Sequence, residues 1–263
     1  MYNLNPEPAQ TLRWSQAIAS EMDKPEEPVL IVALRRSWNS AARPVLARGI
    51  DKQEYVVKGQ QAGRQIINDR IVATLGMAMN APVGEPRIVE ISDELLAEEP
   101  HYRYLTPGTA HATVFIPGCS DDREPIQYAI QLENQARFAA ISILSAWIHG
   151  NDLQFIYRKI RPNLVYSVDH GHFFPGGPNW KVEYLSQALE IGAEIDRQFL
   201  SLCQLRLESD EIRMALESLS LVEEQTIIKA VASPPIEWGL TITERVSLVN
   251  YLLRRQQDLI SLL

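Results

Sequence analysis

Apolar positions in the first hundred residues fall in short runs, whereas later ones recur at helical spacing. Residues 29–34 are continuously apolar, a polar stretch over 35–43 separates them from Pro44-Val-Leu-Ala, and a turn at 49–52 leads into Glu54-Tyr-Val-Val-Lys58. Runs of this length bounded by turn residues predict three short strands in a meander. Ile66, Ile67, Arg70, Ile71, Thr74, Leu75 and Met79 are then spaced by threes and fours, which puts the apolar members on one helical stripe. That helix is expected to stop at residues 80–82, and residues 87–91 read as a further strand. Residues 93–125 mix charges, prolines and glycines, including Pro107-Gly and Pro117-Gly, as a linker or an irregular edge does.

From Ile126 the pattern turns helical, with Phe138, Ile141, Leu144 and Ile148 on a core-facing stripe. It is interrupted by two strand-like runs, 155–160 and 164–168, around the turn Arg161-Pro-Asn, which predicts a hairpin. After Pro178 the chain reads as helical to its end, with apolar stripes over 184–202, 212–219 and 246–255. Thr241-Ile-Thr-Glu244 and Ser220-Leu-Val-Glu223 both fit a capping box, in which a hydroxyl and a carboxylate satisfy free amides at a helix start. The expected fold is α+β and two-lobed: a strand-rich lobe with one helix over residues 1–108, then a helical lobe holding a hairpin over 109–263. Asn5-Pro-Glu-Pro reads as a flexible leader.

Composition narrows the partners. With 46% hydrophobic and 22% charged residues the chain is neither disordered nor extreme, and no apolar run approaches the ~18 residues of a membrane helix. A formal charge of −8 argues against a broad nucleic-acid footprint. Cys119 and Cys203 stand alone, and the N-terminus lacks a basic-then-apolar leader pattern, so a cytoplasmic protein with free thiols is expected.

Candidate chemistry gathers around the hairpin, in His149-Gly-Asn-Asp152 before it and Ser167-Val-Asp169-His170-Gly-His172 after it. A hairpin joins its two ends, so Asp152 and Asp169 should be neighbours. Two carboxylates at one mouth suit a divalent cation, whose charge offsets their repulsion; alternatively Asp152 starts a turn and Asp169 caps the next segment. Lys58 closes an apolar strand, a costly place for an ammonium unless an anion such as Asp69 on the following helix meets it; the other reading is an edge lysine reaching water along its stem. Ser37, Asn39 and Ser40, between two strands, would offer amides and hydroxyls to phosphates, although no glycine-rich phosphate motif is present. His149, His170 and His172 with the two aspartates would also suit zinc or iron in a hydrolase.

Several of these stretches together resemble one family. Val45-Leu-Ala-Arg-Gly…Glu54-Tyr-Val-Val-Lys58, Ile66-Ile-Asn-Asp-Arg-Ile-Val-Ala-Thr-Leu-Gly76 with Ala81-Pro-Val, Ala146-Trp-Ile-His-Gly-Asn-Asp152, Ser167-Val-Asp-His-Gly171, and Pro235-Ile-Glu-Trp238 with Glu244-Arg…Tyr251-Leu-Leu-Arg-Arg are similar, in order and spacing, to HipA-like kinases over roughly residues 30–263. The resemblance implies a protein-kinase-like fold and an ATP- and magnesium-dependent phosphotransferase acting on a hydroxyl, of serine or threonine in a protein. It implies that Lys58 holds nucleotide phosphates, Asp69 orients it where the family more often has glutamate, Asp152 steers the acceptor hydroxyl, Asp169 binds magnesium, and the Ser37–Asn39–Ser40 loop covers the phosphates. Where the family places a second metal-binding asparagine, five residues after the catalytic aspartate, this chain has Tyr157; Gln154, nearer Asp152 than Asn163 is, is expected to supply that oxygen. The alternatives are a pseudokinase acting as a nucleotide-binding regulator, or the kinase-like half of a toxin–antitoxin pair.

Overall fold

The computed structural model describes residues 6–120 and 125–263. Helix α1 (Pro8–Met22) precedes strands β1 (Val29–Ser37), β2 (Val45–Gly49) and β3 (Glu54–Lys58), helix α2 (Gln65–Ala78), strand β4 (Pro86–Ile91), helix α3 (Asp93–Glu98) and strand β5 (Gly108–Val114). The five strands close into a barrel in the order β1-β2-β3-β5-β4, every pair antiparallel except β1 with β4. Alternation decides its interior: Val45, Ala47, Tyr55, Val57, Val89, Ala110 and Ala112 point inward and are buried. The rest comprises α4 (Leu132–Ile148), the antiparallel hairpin β6 (Gln154–Tyr157) and β7 (Val165–Val168), and helices α5 (Val182–Ile191), α6 (Arg197–Leu202), α7 (Asp210–Ser220), α8 (Glu224–Ala232) and α9 (Ile242–Ile260). The α+β, two-lobed expectation agrees with this arrangement.

Several local expectations are corrected. Pro8, assigned to a flexible leader with Asn5 (outside the described residues), opens α1, whose Trp14 and Ile18 are buried against α8 and α9. Strand β5 arises inside the stretch read as a linker, and the boundary drawn at 108 falls on its first residue. Its run Gly108-Thr-Ala-His-Ala-Thr-Val lacks large apolar residues, because the closed barrel leaves room only for Ala110 and Ala112 on the inward face. The helix expected over 184–202 breaks at Gly192, which takes a left-handed φ of 86°. The box at Thr241 forms in full, but Ser220 belongs to the end of α7 and α8 is capped at Glu223 without a side-chain bond.

Helix α2 lies next to the barrel strands β4 and β5 yet packs on α8, and its Ile67, Ile71 and Leu75 belong to the same apolar core as Phe138, Leu144 and Leu252 of the helical part. Polar ties reinforce that docking: Arg64 pairs with Glu244 at 2.8 Å, and Arg70 reaches Ser233 at 3.1 Å and Glu26 at 2.6 Å.

Helix α9 organises the helical part through two buried arginines. Arg245 donates to the carbonyls of Val231 (2.6 Å), Pro234 (2.8 Å) and Leu240 (3.2 Å). Arg255 donates to Ala146 (2.5 Å), Trp147 (2.8 Å) and Gly192 (2.9 Å), while the Trp147 indole donates back to Leu252 at 2.8 Å. The last-turn carbonyls of a helix have no partner within it, so Arg255 satisfies the end of α4 from which the Asp152 segment departs. Replacing Arg255 by leucine leaves these buried carbonyls unpaired and should lower unfolding stability by about 2–4 kcal/mol. Lysine should recover little of this, because one ammonium does not span a fork of three acceptors. Urea titration of both variants checks this, and a loss for Arg255→Leu below about 0.5 kcal/mol, the range of neutral surface changes, would contradict it.

Candidate active site

Strand β3 ends at Lys58, whose side chain is 7% exposed, too little for an ammonium to be hydrated. Its Nζ lies 2.8 Å from Asp69 Oδ2 and 2.5 Å from Asp169 Oδ1. Burial opposes the lysine charge, but attraction to the two carboxylates and hydrogen bonds to both outweigh it, and its pKa lies above the ordinary lysine value. The edge-lysine reading is thereby set aside. Aspartate at position 69 reaches Lys58 at 2.8 Å despite its shorter side chain, from a helix that lies against the neighbouring strands β4 and β5. Its other oxygen, Oδ1, accepts the amide of His170 at 2.7 Å, so one carboxylate fixes both the lysine and the chain just beyond Asp169.

The neighbouring Asn68, fully buried, extends this grip. Its amide donates to the carbonyls of Gly171 (2.8 Å), Phe173 (3.0 Å) and Gly177 (3.3 Å), and its Oδ1 accepts the Trp180 indole at 3.0 Å. Arg64 stacks over Trp180 at 4.5 Å. Sequence reasoning missed Asn68, although two adjacent polar residues on an otherwise apolar helix stripe are a legible signal.

The hairpin works as expected in bringing its ends together. Gln154 pairs with Val168, which sets it beside Asp169, and Gln154 Nε2 donates to Asp152 Oδ2 at 2.5 Å. Asp152 (φ 54°) and Asp169 (φ 59°) both take left-handed backbone, as does His149 (φ 69°), a conformation that costs non-glycine residues about 1–2 kcal/mol each. Such clustered strain is held by neighbours: Phe174 N bonds His149 O, and Asn151 bonds Phe174 O. Gln154 Oε1 is buried without a hydrogen-bond partner. An orphaned amide oxygen and a carboxylate are hard oxygen donors, the type that a divalent cation such as magnesium takes.

Tyr157 does not fit one. Strand parity turns it away from the cleft, where its hydroxyl accepts from Gln127 N at 2.8 Å and donates to Pro125 O at 3.0 Å, against the edge of Tyr128. Asn163 is occupied at the far turn, donating to Arg158 O at 2.9 Å. The three histidines also diverge. His170 Nε2 lies 3.0 Å from Ser167 Oγ, His149 lines a separate cavity with Glu194 and Arg255, and His172 stands near Gly177. Among the described residues no three His, Cys, Asp or Glu side chains converge on one metal position, so the zinc or iron hydrolase lacks its ligand set.

Between barrel and helices lies a cleft with an empty volume of about 930 Å³, counting its open mouth, within the range of small-molecule sites. Val56, Ala73, Val114, Phe115, Ile156 and Val168 make its apolar walls, and Lys58, Asp69 and Asp169 make a charged end. Asp152 is exposed and stands outside this wall with Gln154. Ser37, Asn39 and Ser40 are not on it either. Strand β1 runs on to Ser37, and alternation then places Arg36 and Trp38 on the cleft side. Arg36, Trp38 and the crossing segment at residues 115–120 were not anticipated, since nothing in their composition marks a cleft face.

His111 of β5 lies opposite Lys58, is 2% exposed, and its Nδ1 has no partner. Burial, and then the charges of Arg70 and Lys58, hold its imidazole well below the ordinary histidine value. The unfolded chain takes up this proton near pH 6.5 while the folded protein does not, so the contribution is complete above about pH 6.5 and is lost as pH falls toward the depressed folded value. In His111→Gln the unfolding free energy should therefore fall less steeply than in the wild type between about pH 6.5 and 5; equal slopes in denaturant titrations would contradict the buried neutral imidazole.

The fold has solved counterparts. The crystal structure of the proinflammatory kinase CtkA of Helicobacter pylori is similar at a TM-score of 0.55 and 9% identity, covering 89% of this chain and 94% of that one. A Golgi casein kinase gives 0.46 and 11% identity over 94% and 76%, and a Golgi casein kinase with Mn/ADP bound gives 0.45 and 11% over 97% and 81%. No curated protein matches the chain. The model of HipA-like kinases matches residues 30–174, more than half of the 263 residues, and with the two-lobed fold around Lys58 the chain belongs to the HipA-like kinase family.

Proposed function

We propose that this protein binds ATP with magnesium in the cleft and transfers the terminal phosphoryl group to a hydroxyl, that of a serine or threonine in a protein substrate. The observation that carries this reading is the buried Lys58 held between Asp69 and Asp169 at the charged end of an apolar cleft. An apolar slot suits a nucleobase, and a rigid ammonium at its end suits the phosphates. Family membership and the kinase fold of CtkA point the same way.

Each group has a task that its surroundings support. Asp69 holds Lys58 so that the ammonium is preorganised toward phosphate oxygens. Asp152, in the open beside the cleft, accepts a hydrogen bond from the incoming hydroxyl, aims its oxygen along the line of attack and receives its proton as the new P–O bond forms and the old one breaks. Gln154 Nε2 fixes the Asp152 carboxylate in that role. Asp169 and Gln154 Oε1 would hold the magnesium, which when bound neutralises charge on the transferred phosphoryl group. Residues 173–180 carry no serine, threonine or tyrosine, so phosphorylation within this loop is not a means of control.

Labelled ATP with magnesium or manganese tests the transfer. Wild type should label itself or an added protein, and Asp152→Ala should reduce that by about 100-fold or more. Binding of ATP without transfer by either metal would favour a nucleotide-binding regulator instead. ATP with magnesium should also raise the melting temperature by mass action, and Asp169→Asn should remove most of that rise; an undiminished rise would mean that the metal is held elsewhere. Tyr157→Asn, which the family pattern alone would suggest as an activating change, should instead cost stability of about 1–3 kcal/mol by orphaning Gln127 N and Pro125 O, with no gain in transfer.

A further inference from the structure

Resting on the nucleotide reading above, we propose that Arg36, held against the face of Trp38, is the side chain that grips the nucleotide's phosphates from the barrel side, in place of a glycine-rich backbone loop. The first support is register. Arg36 pairs with Leu46, Leu46 with Val56, and Val56 with Thr113, so these side chains form one row across the barrel face above the cleft. Trp38 continues the ladder, its amide bonding Pro44 O, one position beyond the Val45–Val57 pair and so level with Lys58. The Arg36 guanidinium carbon lies 4.6 Å from the Trp38 ring centroid. Arg36 therefore leans from the row over the apolar walls toward the row of Lys58, where base gives way to phosphate.

Charge is the second support. Among the described residues lining the cleft, the charged side chains are Arg36, Lys58, Asp69 and Asp169. Lys58 is already shared between the two carboxylates, so it cannot by itself balance a polyphosphate. Arg36 supplies a planar fork of donors matched to phosphate oxygens, and stacking on an aromatic face limits the orientations that it loses on binding. Loop chemistry is the third. The connection Trp38-Asn-Ser-Ala-Ala-Arg-Pro44 contains no glycine, and its bulky ends, Trp38 and Pro44, line the cleft where backbone amides would otherwise have to approach phosphate. A side chain has to make that contact.

Calorimetric titration of ATP, ADP and adenosine into wild type, Arg36→Met, Arg36→Lys, Trp38→Ala and Trp38→Phe tests the assignment. Arg36 is exposed, so its variants keep the fold. Arg36→Met should weaken ATP and ADP by about 10–100-fold, the worth of a charge-assisted contact, and leave adenosine unchanged. Arg36→Lys should recover part of the loss. Trp38→Ala should weaken ATP several-fold and Trp38→Phe should not, as expected of a positioning residue. If wild type binds ATP and Arg36→Met binds it equally well, or loses adenosine in the same proportion, the phosphate assignment is overturned while the nucleotide reading stands. If wild type binds none of the three ligands, both fall.

Discussion

An ammonium with 7% of its side chain exposed requires carboxylates, and meeting that requirement draws the site together. Lys58 comes from the third barrel strand, Asp69 from α2, and Asp169 from the end of the hairpin. Removing one partner of such a buried set leaves a charge uncompensated, at a cost of about 3–5 kcal/mol. The three elements are therefore bound to one geometry, and most other polar contacts near the cleft help maintain it. Asp69 also receives the His170 amide, and Asn68 fastens the three carbonyls that follow.

The constraint reaches into the core. Helix α2 borders the barrel, but its apolar stripe is buried in the helical part, its N-cap Arg64 is tied to Glu244 and its Arg70 to Ser233 and Glu26. Helix α9 holds both sides of the site: its N-terminal turn meets Arg64, and Arg255 near its C-terminus closes the helix from which Asp152 is presented. Strained backbone at His149, Asp152 and Asp169 is tolerated because these anchors surround it. Preorganisation of this kind suits phosphoryl transfer, where positioning and charge account for most of the catalysis.

Much of this is local and so was legible without coordinates. Strand runs with turn residues between them marked β1 to β3, threefold and fourfold spacing marked α2, and the turn at Arg161-Pro-Asn marked the hairpin that sets Gln154 beside Asp169. A lysine ending an apolar strand pointed to an anion, and Asp69 was in reach. Thr241 and Glu244 announced the start of α9 because a capping box involves only four consecutive residues.

Other features depend on partners remote in sequence. Gly108-Thr-Ala-His-Ala-Thr-Val has little strand character by itself, and it becomes β5 because β3 and β4 leave a gap that small side chains fill. Trp14 and Ile18 make α1 worth forming only where α8 and α9 cover them. Tyr157 stands at the family's metal-ligand spacing, yet strand parity turns it to the core, whereas Gln154, on the other face of the strand, has an Oε1 without a partner. Sequence thus determined the periodic elements and the charges that need company. Tertiary structure alone decided which side of each strand faces the cleft and which distant groups meet there, because burial and pairing are properties of the closed chain and not of any one segment.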